Sequence, residues 1–423
     1  MRLRDFDERH GKTILIGVVL LVWGMIILSI RYLGHLETWN LWHIPANKRL
    51  FLDFRLIPGA AETFQAGMDP AVSNPYDPSL RLFNYPRIWY WLFNLNITQD
   101  DTIWISIILI ILFFLILFIF PEKIRVRDVP LFLLFIFSPA CVLLYERGNV
   151  DLAFFTLAGL TVLSVKRLPV ISAVVLLVAS FFKLFPFFGL AVFLHENKKR
   201  FYAFFIAVTA VFLTYLFFNI ESLKAAWLLT ERGINHSYGV NIIFYLLNNG
   251  LRSFLPVFFT VFQAIPIMRF APHVTAFIVL TWVFVAAIRH KGEFPVESER
   301  NLAAFRLGAA IYVGTFLLGN NWNYRLAFLL FTIPQISHWF FASKGKNLLF
   351  YSTLLILMLA TCWYTMVFDY SFLLFGAKSK TTLYIFDETM NWGVFAGLAY
   401  LLIASSPSWF RALSLNPFSR NSE

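Results

Sequence analysis

The chain has 423 residues, of which 59% are hydrophobic, 19% are aromatic and only 14% are charged. With a mean hydropathy of +0.69, this composition predicts an integral membrane protein and excludes a water-soluble enzyme. The formal net charge of +11 would suggest nucleic-acid binding in a soluble protein, but the Lys and Arg residues lie mostly in short segments between apolar runs. We therefore interpret them as signals of membrane orientation and expect no nucleic-acid partner.

The first apolar run, residues 13–30, is long enough to span a membrane. No small-residue cleavage site follows it, so we predict an uncleaved first span and not a signal peptide. Residues 32–101 are largely polar or aromatic and are predicted to form an extended external loop. The remainder is almost continuously apolar. We therefore predict one all-α membrane domain over residues 1–423, with a polytopic transmembrane bundle over residues 102–423.

Short basic clusters divide the apolar sequence and indicate its orientation in a cell membrane. By the positive-inside rule, these clusters and the N-terminus lie in the cytoplasm. The clusters are at residues 123–127, 166–167, 195–200, 289–291 and 344–346. The spans that follow are roughly 13–31, 102–120, 129–145, 150–165, 201–219, 302–319, 324–341, 347–367 and 391–405. Prolines between Asn241 and Ile288 allow several arrangements, so the predicted total is about eleven to thirteen spans.

Residues 170–194 are longer than one span, yet both flanks are basic. A broken hairpin accounts for this pattern: a short helix runs up to Phe182, the chain turns at Lys183 to Pro186, and a second short helix returns. Pro186 cannot donate a backbone hydrogen bond, which favours a break at that point. At that depth, only protein or a water-filled cavity can satisfy the freed carbonyl groups.

With this orientation, five polar segments face the non-cytoplasmic surface. Because they share that side, we expect them to surround one polar cavity at the membrane boundary. They are the first loop with Asp53, the run Glu146 to Asp151, the turn at Lys183, residues 219–241 with His236, and residues 319–325.

Several common catalytic patterns are absent from the sequence. It contains no GxxxxGKS/T, HExxH, GxSxG or GxGxxG pattern, which argues against a nucleotide-phosphate loop, a zincin site and a hydrolase elbow. The cysteines, Cys141 and Cys362, lie in apolar runs without metal or redox spacing. We therefore predict no cofactor and assign no metal ligands, and the sequence leaves the metal dependence of the activity open.

The predicted cavity combines one carboxylate with several cations. The carboxylate of Asp53 is suited to act as a general base. The side chains of Arg147, Lys183 and Arg325 are suited to hold a phosphate leaving group. Lipid-linked phosphates are the anionic substrates available at such a surface, so the pattern indicates chemistry on a lipid-linked substrate.

At these residues the sequence resembles the GT-C fold of polyprenol-phosphate-sugar glycosyltransferases. It is most similar to glycosyltransferase family 87, the polyprenol-phosphate-mannose-dependent mannosyltransferases. The resemblance covers residues 53–194 and depends on the order and spacing of its elements. These are Asp53 in the first loop, Asn84-Tyr85-Pro86, the run Arg147 to Asp151 and the turn Lys183 to Pro186.

The resemblance implies an inverting hexosyltransferase with Asp53 as the catalytic base. It would move a hexose, with mannose as the expected sugar, from a polyprenyl-phosphate donor to a hydroxyl of a lipid or glycan acceptor. Several relatives carry a Pro-x-Ser-Trp-x-His type segment where this chain has residues 320–325, which leaves the acceptor and the sugar open. The substrate-binding candidates, from the resemblance and from shared sidedness, are Tyr85, Arg147, Asn149, Asp151, Lys183, His236, Asn323 and Arg325.

These residues also have purely structural interpretations. Asp53 can pair with Arg49 or Arg55 in its own loop. Asn149 can cap a helix that begins nearby, and Lys183 can extend towards the membrane surface. Further structural assignments are a local ion-pair cluster of Glu146, Arg147 and Asp151, an interfacial anchor at Arg325, turns at Asp69 and Asp77, and interfacial aromatic belts at Trp39, Trp42, Trp89 and Trp91.

Two other functions remain open. A lipid or polysaccharide transporter, or flippase, would bind phosphate headgroups with the same cations but without chemistry. Internal repeats would favour it, and the sequence shows none. A ligase or polymerase of lipid-linked glycans would use a similar cavity but transfer a whole oligosaccharide.

Overall fold

The computed structural model describes residues 2–230, 233, 236–247, 270–290, 292, 294–375 and 380–415. The fold is predominantly helical. The α-helices are α1 (Arg2–Leu33), α2 (His35–Asn40), α3 (Leu56–Gln65), α4 (Tyr90–Phe93), α5 (Thr102–Ile119), α6 (Val129–Ile136), α7 (Pro139–Arg147), α8 (Asp151–Ser164), α9 (Pro169–Phe182), α10 (Lys198–Phe218), α11 (Ile220–Leu229), α12 (Ala271–Ile288), α13 (Glu299–Leu317), α14 (Ile333–Ala342), α15 (Gly345–Phe375), α16 (Lys380–Ala404) and α17 (Ser408–Leu415).

The structure also contains 3-10 helices and one short β-ribbon. The 3-10 helices are Arg87–Trp89, Gln99–Asp101, Val126–Asp128, Phe185–His195 and Asn323–Thr332. The ribbon pairs β1 (Ser237–Tyr238) with β2 (Asn321–Trp322) in antiparallel register. The crossings predicted between Asn241 and Ile288 fall partly on residues 248–269, which lie outside the described residues.

Within the described part of the chain, 5 helices are long and apolar enough to cross a membrane, which supports the assignment as a membrane protein. They are His10–Leu33, Gln99–Ile119, Lys198–Phe218, Ala271–Ile288 and Gly345–Ser371. The pair α6 and α7 adds a sixth if it forms one span. Helices α8 and α9 have 14 residues each, or about 21 Å, and are therefore shorter than the membrane core.

Two of the predicted spans are interrupted. Residues 129–145 form α6 and α7, which meet at an angle of 57° next to Pro139. Residues 324–341 form a 3-10 helix followed by α14, which has Pro334 in its first turn. Proline lacks the amide hydrogen that a continuous helix requires, so each break lies at a proline.

The broken hairpin is present at its predicted position. Helix α9 ends at Phe182, and Lys183 has an extended backbone. The chain then returns as the 3-10 helix Phe185–His195, with Pro186 in its first turn. A Cβ atom on Gly189 would lie 2.9 Å from Leu176 Cδ1, so the returning segment packs directly on α9. The returning segment of the hairpin is a 3-10 helix, a helix type that the prediction did not specify.

Helix α13 occupies the centre of the bundle and is buried along almost its whole length. Two glycines allow neighbouring segments to approach it closely. A Cβ on Gly314 would lie 2.1 Å from the ring of Phe188, and one on Gly308 would lie 2.8 Å from Phe331 Cβ. The hairpin and the 3-10 helix Asn323–Thr332 therefore both pack on α13, which brings residues 182–186 close to residues 318–325.

The last predicted span, 391–405, belongs to a longer helix. Helix α16 begins at Lys380, and both Asp387 and Glu388 are buried within it, with 3% and 1% exposure. Asn391 accepts a hydrogen bond of 3.0 Å from the hydroxyl of Tyr312 on α13. Asp387 and Glu388 therefore lie inside the protein, in the part of this helix that precedes the predicted span.

Sidedness is testable by thiol labelling, because Cys141 and Cys362 are both buried and should give little background. Ser73 is exposed in the first loop, and Asn347 is exposed at the start of α15. We expect Ser73→Cys to react with a membrane-impermeant maleimide in intact cells, and Asn347→Cys to react only after permeabilisation. Labelling in the reverse pattern would place the first loop in the cytoplasm.

Candidate functional site

A cavity of about 810 Å³ lies at the end of the bundle where α7, α9 and α13 terminate. The first loop, α11 and residues 318–325 complete its wall. All five polar segments that the sequence placed on one side contribute to it. The candidates that line it are Asp53, Tyr85, Arg147, Asn149, Lys183, His236 and Arg325. The other two, Asp151 and Asn323, contact residues that do.

The carboxylate of Asp53 has its direct hydrogen bond from the start of α8 and a longer ion pair within its own loop. Asn149 Nδ2 donates a hydrogen bond of 2.8 Å to Asp53 Oδ2. The other oxygen, Oδ1, lies 3.6 Å from Arg81 and 3.9 Å from Arg147, which are distances of ion pairing without a hydrogen bond. The suggested pairing with Arg49 or Arg55 is not found among the described residues, and Arg55 instead donates to the Leu50 carbonyl and to Gln99.

Asp151 connects two of the predicted cations. Its carboxylate is fully buried, with Oδ1 at 2.5 Å from Lys183 Nζ and Oδ2 at 3.2 Å from Arg325 Nε. The predicted ion-pair cluster of Glu146, Arg147 and Asp151 is therefore wrong in its assignment of Asp151. Two cations share one buried anion, so the group carries a formal charge of +1 beside the cavity.

Asn149 has two roles, and one of them is the predicted capping. Its Oδ1 accepts a hydrogen bond of 3.0 Å from the amide of Asp151, the first residue of α8. Its amide nitrogen is then directed at Asp53. A single side chain thus ties the carboxylate in the first loop to the helix that carries the buried anion.

Arg147 is held mainly by structural contacts. Its Nε lies 3.0 Å from Glu146 Oε2, and its guanidinium donates to the carbonyl of Pro45. Its backbone carbonyl accepts a hydrogen bond of 3.1 Å from the amide of Asp53. Arg147 therefore fixes the position of the first loop more directly than it faces a ligand.

Aromatic rings surround the paired cations. The Arg325 guanidinium lies 4.6 Å from the ring centre of Phe185, and Lys183 Nζ lies 5.3 Å from that of Tyr85. Such contacts favour the charged forms of both side chains. Burial raises the pKa of the Tyr85 phenol, and the charges of Asp151 and Asp53 raise it further, so Tyr85 keeps its proton and can donate a hydrogen bond.

The interpretation of the tryptophans as an interfacial belt is wrong for two of them. Trp89 is 6% exposed, and its indole donates a hydrogen bond of 2.9 Å to the carbonyl of Phe182. Trp39 is 4% exposed, whereas Trp91 is 79% exposed. Trp89 therefore fastens the first loop to the end of α9, next to Lys183.

Arg81 is a site residue that the sequence analysis missed. It forms hydrogen bonds of 2.8 Å to Asp77 Oδ1 and 2.6 Å to the carbonyl of Leu52, next to Asp53. Burial lowers the pKa of Arg81. The hydrogen bonds to Asp77 and the negative charge of that residue have the larger effect, so the pKa is raised. One sequence feature could have indicated this role: Asp77, which is followed by proline, lies four residues before Arg81. Asp77 also organises its turn, as predicted, by accepting from the amides of Ser79 and Arg81.

His236 enters the cavity wall from the β-ribbon. Its backbone φ of 56° lies in the left-handed region, and its carbonyl accepts a hydrogen bond of 2.8 Å from the amide of Asn323. Its Nδ1 is buried without a hydrogen-bond partner among the described residues. Burial lowers the pKa of His236, against the opposing charge of Asp369, so the imidazole is neutral at pH 7.

Comparisons of the chain with protein-family models, with curated proteins and with solved structures give no match. The functional interpretation therefore depends on the cavity itself. Its chemical elements are a partly exposed carboxylate, a neutral imidazole, a protonated phenol, and two cations that share one buried anion.

The buried group predicts a large stability effect. Asp151→Asn would leave Lys183 and Arg325 without their anion, and breaking such a pair costs about 3 to 5 kcal/mol. We expect a clear fall in the thermal unfolding midpoint of the purified protein in detergent. The matched control is Glu221→Gln, which breaks an exposed pair with Lys224 and should leave the midpoint unchanged. Equal midpoints for wild type and both variants would show that Asp151 does not stabilise the cations.

Proposed function

We propose that this protein is an integral membrane glycosyltransferase of the GT-C type. It transfers a hexose, with mannose as the expected sugar, from a polyprenyl-phosphate donor to a hydroxyl of a lipid or glycan acceptor on the non-cytoplasmic face. The observation that carries this proposal is one cavity at the end of the helices that contains both a carboxylate and paired cations. A base and a phosphate site within one cavity are what sugar transfer from a phosphate donor requires.

Asp53 is the proposed base. Its Oδ2 is occupied by Asn149, whereas Oδ1 has only the longer contacts to Arg81 and Arg147. The side chain is 24% exposed, so Oδ1 can receive a proton from an acceptor hydroxyl. As the oxygen of the acceptor hydroxyl bonds to the anomeric carbon, the bond between that carbon and the phosphate oxygen breaks. The electron pair of the broken bond stays on the phosphate. Attack opposite the leaving group inverts the anomeric carbon.

Lys183 and Arg325 are proposed to hold the donor phosphate. Because Asp151 neutralises only one of the two positive charges, the excess charge favours an anion in the cavity. Both side chains are fixed before substrate binds, so they need little rearrangement as negative charge develops on the phosphate. The protonated Tyr85 can add a hydrogen bond to the phosphate or to the sugar.

The dimensions and walls of the cavity suit such a donor. Its volume of about 810 Å³ lies in the range of known ligand pockets. One wall consists of apolar residues of α11, including Leu223 and Trp227. Trp227 is also 60% exposed on the outer surface. The first isoprene units of the donor can therefore contact α11 while the phosphate lies near Lys183.

Asp53→Asn tests the base directly. Asparagine is nearly isosteric and can still accept the hydrogen bond from Asn149, so folding and donor binding should persist. General-base catalysis contributes about 10²- to 10⁴-fold, and we expect transfer to fall by that factor. The control is Asp100→Asn, at an exposed position of the same loop, which should retain full activity. Near wild-type turnover in Asp53→Asn would assign the base to another group, with His236 as the first candidate.

Lys183→Met tests the phosphate site. Methionine keeps most of the side-chain stem, and Asp151 retains its contact with Arg325, so the fold should survive. Hydrogen bonds to charged groups contribute about 1.5 to 3 kcal/mol, so we expect donor affinity to fall roughly ten- to hundredfold in a binding titration. The matched control, Lys224→Met on the exposed surface of α11, should bind donor normally. Unchanged affinity in Lys183→Met would remove this lysine from the donor site.

A further inference from the structure

A second cavity, of about 440 Å³, lies between α12, α15 and α16. It is at the opposite end of the bundle from the first one. Pro295, just before the start of α13, lines the second cavity, whereas Leu318, just after its end, lines the first. Helix α13 has 19 residues, which separates the two ends by about 28 Å. No step of the proposed sugar transfer uses this second cavity.

The cavity extends to the exposed, apolar face of α12. Phe277 and Trp282 on that helix are 70% and 71% exposed, and Trp282 also lines the cavity. The walls inside are apolar and include the small residues Ala286 on α12 and Ala396 on α16. The exposed face beside the cavity is apolar, which suits entry of a lipid better than entry of a polar, water-soluble molecule.

One end of the cavity is polar. There the hydroxyl of Tyr400 lies 2.9 Å from Nδ1 of His290, and the ring of Phe294 packs on His290 at 4.9 Å. Ser343 and Asn347 add further polar groups to the same lining.

Cations lie near the lining of this cavity. Burial lowers the pKa of His290, and the nearby charge of Arg411 lowers it further. Lys344 and Lys346 are exposed and are sequence neighbours of the lining residues Ser343 and Asn347. The ligand chemistry that fits is an apolar chain joined to an anionic headgroup.

We propose that this cavity binds an anionic phospholipid from the leaflet that the basic clusters face. Its phosphate lies at the end formed by His290, Tyr400 and Ser343, where the nearby Lys and Arg residues complement its charge. One acyl chain fills the apolar part between Ala286 and Ala396. This site would exist whether or not the protein transfers a sugar.

Native mass spectrometry of the purified protein, titrated with phosphatidylglycerol and with phosphatidylcholine of the same acyl chains, tests the proposal. We expect the wild type to bind phosphatidylglycerol at least about tenfold more tightly, because its headgroup has no positive charge to offset the phosphate. This comparison requires no mutation. Equal affinity for the two lipids would overturn the proposal.

Variants locate the binding. Ala286→Leu and Ala396→Leu fill the cavity from two different helices, and each should weaken phosphatidylglycerol binding about tenfold or more. Thr281→Leu lies on the exposed face of α12 and should bind as the wild type does. A monodisperse gel-filtration profile identifies the folded variants. Because the two substitutions lie on different helices, the test needs only one of the two variants to fold. Wild-type affinity in a folded cavity-filling variant would place the lipid elsewhere and contradict the proposal.

Discussion

The buried carboxylate of Asp151 is the interaction on which the rest of the site depends. It holds Lys183 of the broken hairpin and Arg325 of the segment after α13, two cations that could not otherwise remain in an apolar bundle without large cost. Its own backbone amide is held by Asn149, which also binds Asp53. One chain of contacts therefore connects the proposed base, the start of α8 and the proposed phosphate site, so their relative positions are fixed together.

The sequence was sufficient where a single physical rule determined the outcome. Pro186 prevents a continuous helix, and the chain turns back at that point as predicted. The positions of the basic clusters predicted that five polar segments lie on one side, and all five line one cavity. The helical class and the membrane character follow from composition. The number of spans stays a prediction, because short and broken helices such as α8, α9 and the pair α6 and α7 cannot be counted by length alone.

The sequence was insufficient where partners are distant along the chain. Asp151 pairs with residues 32 and 174 positions away, and local spacing suggested Glu146 and Arg147 instead. Trp89 was assigned to a membrane surface because its type is common there, but its partner is the carbonyl of Phe182. Arg81 was overlooked because a single basic residue in a polar loop carries no periodic pattern, although Asp77 four residues earlier was a usable signal.

The central claim, that the cavity transfers a sugar from a lipid-linked phosphate, is tested most directly in proteoliposomes that contain the purified protein. They would be supplied with polyprenyl-phosphate-mannose carrying a radiolabel on the sugar, together with a membrane lipid extract. The account predicts that the label moves to a new lipid or glycan product while free polyprenyl phosphate accumulates in equal amount. If the donor crosses the bilayer with its sugar still attached and no labelled product forms, the protein is a transporter and the account is contradicted.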